Sequence, residues 1–104
     1  MIIALTTFKL PKPITLEEAR NIFLSTAPKY QGVPGLLKKH YVLSEDGATA
    51  GGVYLWNSKA EAEAKYTEAW REFVRGKYGT EPIVTYFESP VTVDNVAKQV
   101  FTDQ

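Results

Sequence analysis

Two strand-like runs within residues 32–57 constrain the fold of this chain more than any other feature. Leu36 to Glu45 and Ala50 to Asn57 are separated by a short acidic loop that contains glycine, and this pattern predicts a β-hairpin. Large side chains alternate on both sides of each run, so both faces of the hairpin must be covered. Gly51 and Gly52 weaken the second run and predict that another group approaches the backbone closely there.

The first run sorts its side chains into two sets, because successive residues of a strand point to opposite faces. One set is Leu37, Lys39, Tyr41 and Leu43, and the other is Leu36, Lys38, His40 and Val42. Neither set is purely polar or purely apolar. The polar groups on the two runs are therefore the first candidates for chemistry.

Before the hairpin, the chain predicts one strand and one helix. Residues 2–10 alternate two apolar sets and end at prolines, which cannot continue a strand ladder. Thr15 and Glu18 have the spacing of a capping box, in which each side chain satisfies a free amide at a helix start. We expect this helix to end near Ala27, because Pro28 disfavours helical angles in the preceding residue.

After the hairpin, the chain predicts a second helix and a further strand. Ser58 and Glu61 form a second capping box, and one helix is expected to run from there to Gly76 or Gly79. Its apolar stripe consists of Ala62, Tyr66, Ala69, Trp70 and Phe73. Residues 82–88 predict a strand, and the weakly patterned residues 89–104 are expected to add a short strand or to lie over a neighbouring subunit.

The predicted order of strand, helix, strand, strand, helix, strand indicates an α+β fold. It is the ferredoxin-like βαββαβ protomer, in which both helices cover one face of an antiparallel sheet. The other face still holds bulky apolar side chains, and leaving them in water would expose a large patch. We therefore expect a homodimer that packs sheet on sheet, with residues 1–104 forming a single domain.

Composition excludes several classes of function. Twelve Lys and Arg balance twelve Asp and Glu, so long-range attraction to nucleic acid or to an anionic membrane is not expected. The chain has no cysteine and one histidine, which rules out thiolate chemistry and predicts no metal site. Its start lacks the basic region and long apolar stretch of a signal peptide, and a cytoplasmic protein is the expectation.

Three motifs resemble one known family. The turn Pro34-Gly35-Leu36, the strand Ala50–Trp56 (AGGVYLW) and the capped helix from Ser58 to Tyr66 are similar to those of the YdhR-like monooxygenases. That family belongs to the superfamily of dimeric α+β barrels that includes the antibiotic-biosynthesis monooxygenases. The likeness extends over most of the chain, from Ile2 to Glu88.

The resemblance implies a function as well as a fold. It implies a homodimeric barrel with a pocket for a small aromatic, phenolic or polycyclic compound, which is oxygenated without metal, flavin or other cofactor. The substrate anion reduces O2, and the protein supplies a base, hydrogen bonds and a dry cavity. Because one fold serves many functions, a non-catalytic ligand-binding or stress-associated barrel, an isomerase and a haem-handling protein remain alternatives.

Five residues are the candidates for this site. His40 is the candidate base, since imidazole titrates near neutral pH, although a half-exposed structural histidine fits the same pattern. Tyr54 and Trp56 share one side of their strand, and with Tyr66 and Trp70 they would form an aromatic lining for a planar substrate. Packing in the core or at a dimer interface is the alternative for all four.

The adjacent lysines Lys38 and Lys39 are weaker candidates. They could steer an anionic ligand, but on a strand one of two adjacent lysines commonly points to solvent and discourages pairing at the sheet edge.

Overall fold

A computed structural model describes residues 1–103 of the chain. Its strands and helices, in chain order, are β1 (Ile2–Lys9), α1 (Leu16–Thr26), β2 (Leu36–Leu43), β3 (Thr49–Trp56), α2 (Lys59–Lys65), α3 (Glu68–Tyr78), β4 (Ile83–Glu88), β5 (Val91–Asp94) and β6 (Gln99–Thr102). A 3-10 turn, Ala27–Tyr30, follows α1 directly.

The first four strands form one antiparallel sheet in the order β2-β3-β1-β4. This is the strand order of the ferredoxin-like fold, so the predicted α+β architecture is confirmed. The hairpin of β2 and β3 is also confirmed, and its turn is held by the side chain of Ser44, which donates to Asp46 and accepts from the amide of Thr49 at 2.9 Å.

One face of the sheet packs against the helices and forms the core. Along β1, buried residues alternate with half-buried ones, as expected for a strand that is covered more completely on one side. The buried apolar residues of the core are Ile2, Ala4, Phe8, Ala19, Phe23, Ala50, Tyr54, Trp56, Ala62, Tyr66, Trp70 and Val74. We call this side the helix face and the opposite side the outer face.

The predicted start signal of the first helix and the predicted stop signal of the second are both present. At α1, Glu18 N donates to Thr15 Oγ1 at 3.1 Å and Thr15 N donates to Glu18 Oε1 at 2.9 Å, which completes the capping box. At α3, Gly79 adopts the left-handed conformation with φ of 76°, which glycine adopts without a steric cost. Gly79 is therefore the helix stop, and Gly76 lies within the helix.

The second predicted helix is not continuous, which corrects the expectation from its capping box and stripe. Tyr66 leaves helical angles with ψ of 58°, and α3 begins anew after Thr67, whose Oγ1 accepts from Trp70 N at 3.3 Å. A second N-cap in mid-segment therefore competes with continuation of the first helix. The break changes the direction of the helix and the set of residues it buries.

The apolar stripe changes accordingly. Ala62, Tyr66 and Trp70 are buried as predicted, whereas Ala69 is exposed and Phe73 is only half-buried. Val74, which the continuous stripe omitted, is 3% exposed. The buried residues of α2 and α3 are therefore Ala62, Tyr66, Trp70 and Val74 instead of the predicted stripe.

A β-bulge at the start of β2 places Leu36 on the opposite face of the sheet from the one predicted. Leu36 pairs with Trp56 and Lys38 pairs with Leu55, so Leu37 is the additional residue. Because a bulge interrupts the alternation of faces, Leu36 lies on the helix face and not with Lys38 on the outer face. After the bulge, the predicted alternation holds to the end of the strand.

Residues 89–103 form a separate hairpin instead of joining the main sheet. Strands β5 and β6 pair antiparallel, and Asp94 Oδ1 accepts from the amides of Val96 and Ala97 in the turn, both at 3.0 Å. The hairpin stays close to β1, since Ser89 N donates to the carbonyl of Met1 at 2.9 Å. Its valines are largely exposed.

Candidate functional site

An aromatic cluster lies between the helix face of the sheet and the helices. Tyr54 and Trp56 on β3 are nearly parallel, with ring centroids 6.2 Å apart. Tyr66 meets Tyr54 edge-on at 5.3 Å and Trp70 at 4.8 Å. These are the geometries that aromatic pairs prefer, and the four residues predicted as an aromatic lining are indeed neighbours.

Lys39 of β2 extends into this cluster. It pairs with Tyr54 across the hairpin and so shares its side of the sheet. Its Nζ lies 3.4 Å from the ring centroid of Tyr30, 3.7 Å from that of Tyr41 and 4.6 Å from that of Tyr54. We call these four residues the lysine cage.

Hydrogen bonds orient two rings of the lysine cage. Trp70 Nε1 donates to Tyr30 Oη at 3.0 Å, which ties α3 to the 3-10 turn. Tyr41 Oη is 2.8 Å from Thr26 Oγ1, and Thr26 in turn donates to the carbonyl of Phe23 at 3.1 Å. Both rings are thus held by bonds at their polar ends while their faces contact the amine.

The glycine pair of β3 makes room for the lysine cage. A Cβ on Gly52 would lie 2.9 Å from Cε1 of Tyr54 and 3.1 Å from Cε of Lys39, and one on Gly51 would collide with the backbone oxygen of Thr6. The predicted close approach is confirmed at both glycines. A larger residue at position 52 would displace the amine or the phenol.

Burial changes the charge of Lys39. Loss of water, and then the nearby charge of Lys65, lower the pKa of Lys39 from its ordinary 10.5 to about 6. Ring faces attract an ammonium by roughly 0.5 to 2 kcal/mol each, which offsets part of this cost. Within residues 1–103 no carboxylate lies within ion-pair distance of the amine. Lys39 therefore gives up its proton more readily than an ordinary lysine.

The tyrosines of the cluster respond to burial in the opposite way. Burial raises the pKa of Tyr54 and of Tyr66 well above the ordinary range, and it raises the pKa of Tyr41 against a smaller lowering by its bond to Thr26. Burial also raises the pKa of Tyr78 to about 12. These phenols stay protonated at neutral pH, so they can donate hydrogen bonds but do not serve as bases.

An internal cavity of about 20 Å³ lies at the lysine cage, which is room for about one water molecule. Two surface clefts adjoin it. One, of about 310 Å³, is lined by Lys29, Lys65, Trp70 and Phe73, and the other, of about 280 Å³, runs along the 3-10 turn and the start of β2. Tyr30 lines the cavity and both clefts, so it lies where the three spaces meet.

The structure separates the predicted aromatic lining into two layers. Tyr54 and Trp70 line the internal cavity. Trp56 and Tyr66 lie behind them, where Trp56 Nε1 donates to Tyr66 Oη at 3.1 Å. Trp56 is fully buried and Tyr66 is 8% exposed. The front pair can contact a ligand, and the rear pair supports it.

His40 lies on the other side of the sheet from this cluster. It pairs with Val53 on the outer face and is exposed. There it lines a groove of about 370 Å³ between the sheet and β5, together with Leu55 and Val93. The structure therefore does not bring His40 to the four aromatic residues within one protomer.

No three His, Cys, Asp or Glu side chains form a group suited to metal binding in residues 1–103. The internal cavity is lined by rings, hydroxyl groups and one amine, without a carboxylate. The lining thus offers ring surfaces and one amine around a space that has room for about one water molecule.

Comparison with known proteins identifies the family of this chain. The family described as putative mono-oxygenase ydhR matches residues 3–100. The chain belongs to the ydhR family. The resemblance inferred from the PGL turn and the AGGVYLW strand is thereby confirmed. None of the curated proteins is similar enough to this ydhR-family chain to count as a match.

Solved structures share the fold of this ydhR-family protein. The ActVA-Orf6 monooxygenase of Streptomyces coelicolor, in complex with nanaomycin D, is 19% identical with a TM-score of 0.67, over 85% of this chain and 86% of the other. SnoaB of Streptomyces nogalater, a cofactor-independent oxygenase, is 13% identical with a TM-score of 0.64, over 88% and 95%. A protein of Deinococcus radiodurans described as a putative antibiotic biosynthesis monooxygenase is 12% identical with a TM-score of 0.66, over 90% of this chain and 97% of the other. At these identities the likeness shows the fold.

The sequence analysis did not predict the lysine cage of this family member. Lys39 was a weak candidate, and Tyr30 and Tyr41 were not candidates. The signal was the hairpin register: Leu43 pairs with Ala50 across the turn, and counting back places Lys39 opposite Tyr54. The expectation that one of two adjacent lysines points to solvent is met by Lys38, which is exposed.

Across residues 1–103 of this ydhR-family chain, the helices are too short or too polar to cross a bilayer.

Proposed function

We propose that this protein is a cofactor-independent monooxygenase of a small aromatic compound with an acidic hydroxyl group. The observation that carries the proposal is the cavity between the helix face and the helices, which is lined by aromatic rings and holds an amine without a carboxylate partner. Membership of the ydhR family supports the reaction type. The substrate supplies the electrons, one atom of O2 enters the product, and the other leaves as water.

The surroundings of the cavity suit such a reaction. Tyr54 and Trp70 offer ring surfaces for stacking, and the neutral phenols donate hydrogen bonds to a developing negative charge. Water is largely excluded, which strengthens these interactions. A nanaomycin-bound relative of the same fold, the Streptomyces coelicolor monooxygenase, makes a polycyclic aromatic ligand a reasonable first choice.

Access to the cavity requires that Tyr30 move. The closed cavity of about 20 Å³ does not hold an aromatic ring, but the adjoining cleft of about 310 Å³ has the volume of a small-ligand pocket. Displacement of the Tyr30 ring would join the two spaces. We propose that the substrate enters through the cleft and takes the place of this ring against Trp70.

A homodimer would cover the outer face. Phe87 and Ile83 on β4 are 52% and 64% exposed, and Val91 and Val93 on the tail hairpin are 55% and 65% exposed. Burying such side chains favours association by about 25 cal/mol per Å² of apolar surface. We propose that a second copy packs sheet on sheet here to form the α+β barrel, and that the tail hairpin contacts the partner.

Oxygen consumption tests the reaction. In chelator-treated buffer, the purified protein is expected to accelerate O2 uptake with at least one member of a hydroquinone and anthrone panel. Trp70→Phe, which removes the hydrogen bond to Tyr30, should slow this uptake. Val96→Ser, at a position in the tail where the side chain is 96% exposed, should not. Tight uptake of these compounds without O2 consumption would instead support a non-catalytic binding protein, and a Soret band on titration with haem would support haem handling.

The same assay tests the predicted catalytic role of His40. Because His40 lies on the outer face, we expect His40→Ala to keep the turnover rate of the wild type. A large loss of rate without a change of oligomeric state would restore His40 as the base, acting from the partner's side of the barrel.

A further inference from the structure

Two lysines line one cleft and a third lies in the adjoining cavity, and neither lining contains an acidic residue. Lys29 Nζ lies 3.8 Å from the ring centroid of Phe73, Lys65 Nζ lies 4.9 Å from that of Tyr30, and Lys39 reaches the same ring from the interior. None of the residues lining the cavity or the 310 Å³ cleft is acidic. The chain as a whole is electrically neutral, so this local excess of positive charge favours an anionic ligand.

The position of Lys39 within this group is unusual. Its amine is surrounded by the rings of the lysine cage, with Lys65 as the charged neighbour from α2 and Tyr30, Tyr41 and Tyr54 as the titratable neighbours from the 3-10 turn, β2 and β3. A buried lysine normally finds a carboxylate. Here the place of that carboxylate is open toward the cavity.

We infer that Lys39 binds the acidic hydroxyl group of an aromatic ligand and takes up its proton, so that the ligand is held as a phenolate beside an ammonium. This inference rests on the proposed function, because it names the base and the ligand group of the same site. The anion of the ligand supplies the counter-charge that the protein does not.

The proton passes from the ligand hydroxyl group to Lys39 Nζ, and no other reactant is needed. The O–H bond of the ligand breaks and its electrons stay on oxygen, while the lone pair of Nζ forms a new N–H bond. Burial lowers the pKa of Lys39 to about 6, so the empty site presents the amine as an acceptor at neutral pH. The rings of Tyr41 and Tyr54 and the phenolate then stabilise the ammonium.

The first test measures the amine directly. Wild-type protein labelled with 13C at the lysine Cε positions is titrated with pH, and the Lys39 signal is assigned by its absence in Lys39→Met. A titration midpoint for Lys39 below about pH 7, which is more than about three pH units below that of the other lysines, supports the inference. A smaller lowering overturns it, because the empty site would then hold an ammonium already.

The second test uses 4-nitrophenol, whose phenolate has its own absorbance band, at a pH equal to the pKa of the free compound. Binding to the wild type is expected to increase the phenolate band and to shift the Lys39 signal, and 4-nitroanisole, which has no acidic proton, is expected to do neither. Lys39→Met should weaken binding of nitrophenolate about tenfold to a hundredfold. Lys39→Gln, which keeps a polar side chain without the charge or the basic amine, replaces the methionine variant if that variant fails to fold, and the same loss of binding is expected.

Lys38→Met is the matched control, since Lys38 is the neighbouring lysine on the outer face. It should leave the phenolate band unchanged. No increase of the phenolate band in the wild type, or the same increase in Lys39→Met, overturns the inference.

The two proposals fail separately. Oxygen consumption that persists at the wild-type rate in Lys39→Met overturns the role of Lys39 and leaves the monooxygenase function intact. Ionisation of nitrophenol at Lys39 without oxygen consumption for any compound of the panel overturns the monooxygenase function and leaves Lys39 as a phenol-binding base.

Discussion

The Nζ of Lys39 lies 3.4 Å from the ring centroid of Tyr30, although one residue belongs to an edge strand and the other to a 3-10 turn. This contact lies where the cavity meets two surface clefts, because Tyr30 is part of the lining of all three. Lys39 lies in the proposed binding site, and Tyr30 lies at its proposed entrance. Most of the predictions below change one of these two residues or a neighbour that holds it in place.

Lys39→Met should stabilise the protein at neutral pH. Between about pH 6 and 10.5 the unfolded chain binds a proton at Lys39 that the folded protein lacks, so the wild type gains stability as the pH rises through this window. Below pH 6 both states are protonated and the cost is complete. The advantage of Lys39→Met should therefore shrink by about 1 to 2 kcal/mol from about pH 7 to about pH 9, after allowance for partial exposure.

Urea unfolding at several pH values measures this difference. Lys38→Met is the control, and its stability should stay parallel to that of the wild type across the range. An advantage of Lys39→Met that stays constant with pH would show that Lys39 is charged in the folded protein.

Tyr30→Phe and Trp70→Phe should show coupled effects, since Trp70 Nε1 donates to Tyr30 Oη at 3.0 Å. Each single variant removes the same hydrogen bond, and the double variant removes it only once. We expect a coupling free energy of about 1 kcal/mol from a double-mutant cycle in thermal or urea unfolding. Strictly additive losses would indicate that the bond contributes nothing to closure of the cavity.

Gly52→Ala should destabilise the fold and disturb the site. The new Cβ would press on Tyr54 and Lys39 at 2.9 and 3.1 Å, and such overpacking typically costs about 1 to 3 kcal/mol. Gly76→Ala is the matched control, because a Cβ there meets nothing within 4 Å on an exposed part of α3. That change should stabilise the protein by up to about 1 kcal/mol. Equal effects at the two glycines would refute the close approach at β3.

Phe87→Asp should dissociate the proposed homodimer. Phe87 lies on the outer face beside Ile3, where a charge would be buried between two sheets. Sedimentation is expected to give twice the 11.6 kDa protomer mass for the wild type and a single protomer mass for the variant. Leu24→Asp, at a 63% exposed position of α1, should remain dimeric, and a wild type that sediments as a protomer at micromolar concentration would refute the sheet-on-sheet assembly.

Local signals predicted much of the fold because each acts over a few residues. The capping box of Thr15 and Glu18 and the acidic turn of the hairpin are confirmed. The crowding at Gly51 and Gly52 was also foreseen, since glycines inside a strand indicate close approach. The family was recognisable for the same reason, because its motifs lie on the hairpin and the start of the following helix.

The site depended on contacts that a linear pattern does not contain. Alternation places Lys39 and His40 on opposite faces of β2, but only pairing with β3 and docking of the helices decided that Lys39 faces the cluster and His40 faces outward. The helix break at Tyr66, in contrast, has a local signal that the sequence analysis did not use, the N-cap residue Thr67 of α3.

The amino-acid sequence alone determined the βαββαβ order of the core, the hairpin, the starts of α1 and α2 and the family, because caps, turns and strand alternation are local physical preferences. The tertiary structure alone decided which polar group enters the cavity and what charge it carries. Burial is the physical reason: a lysine on an exposed strand is an ordinary cation, whereas the pKa of Lys39 falls to about 6 where three rings replace part of its water.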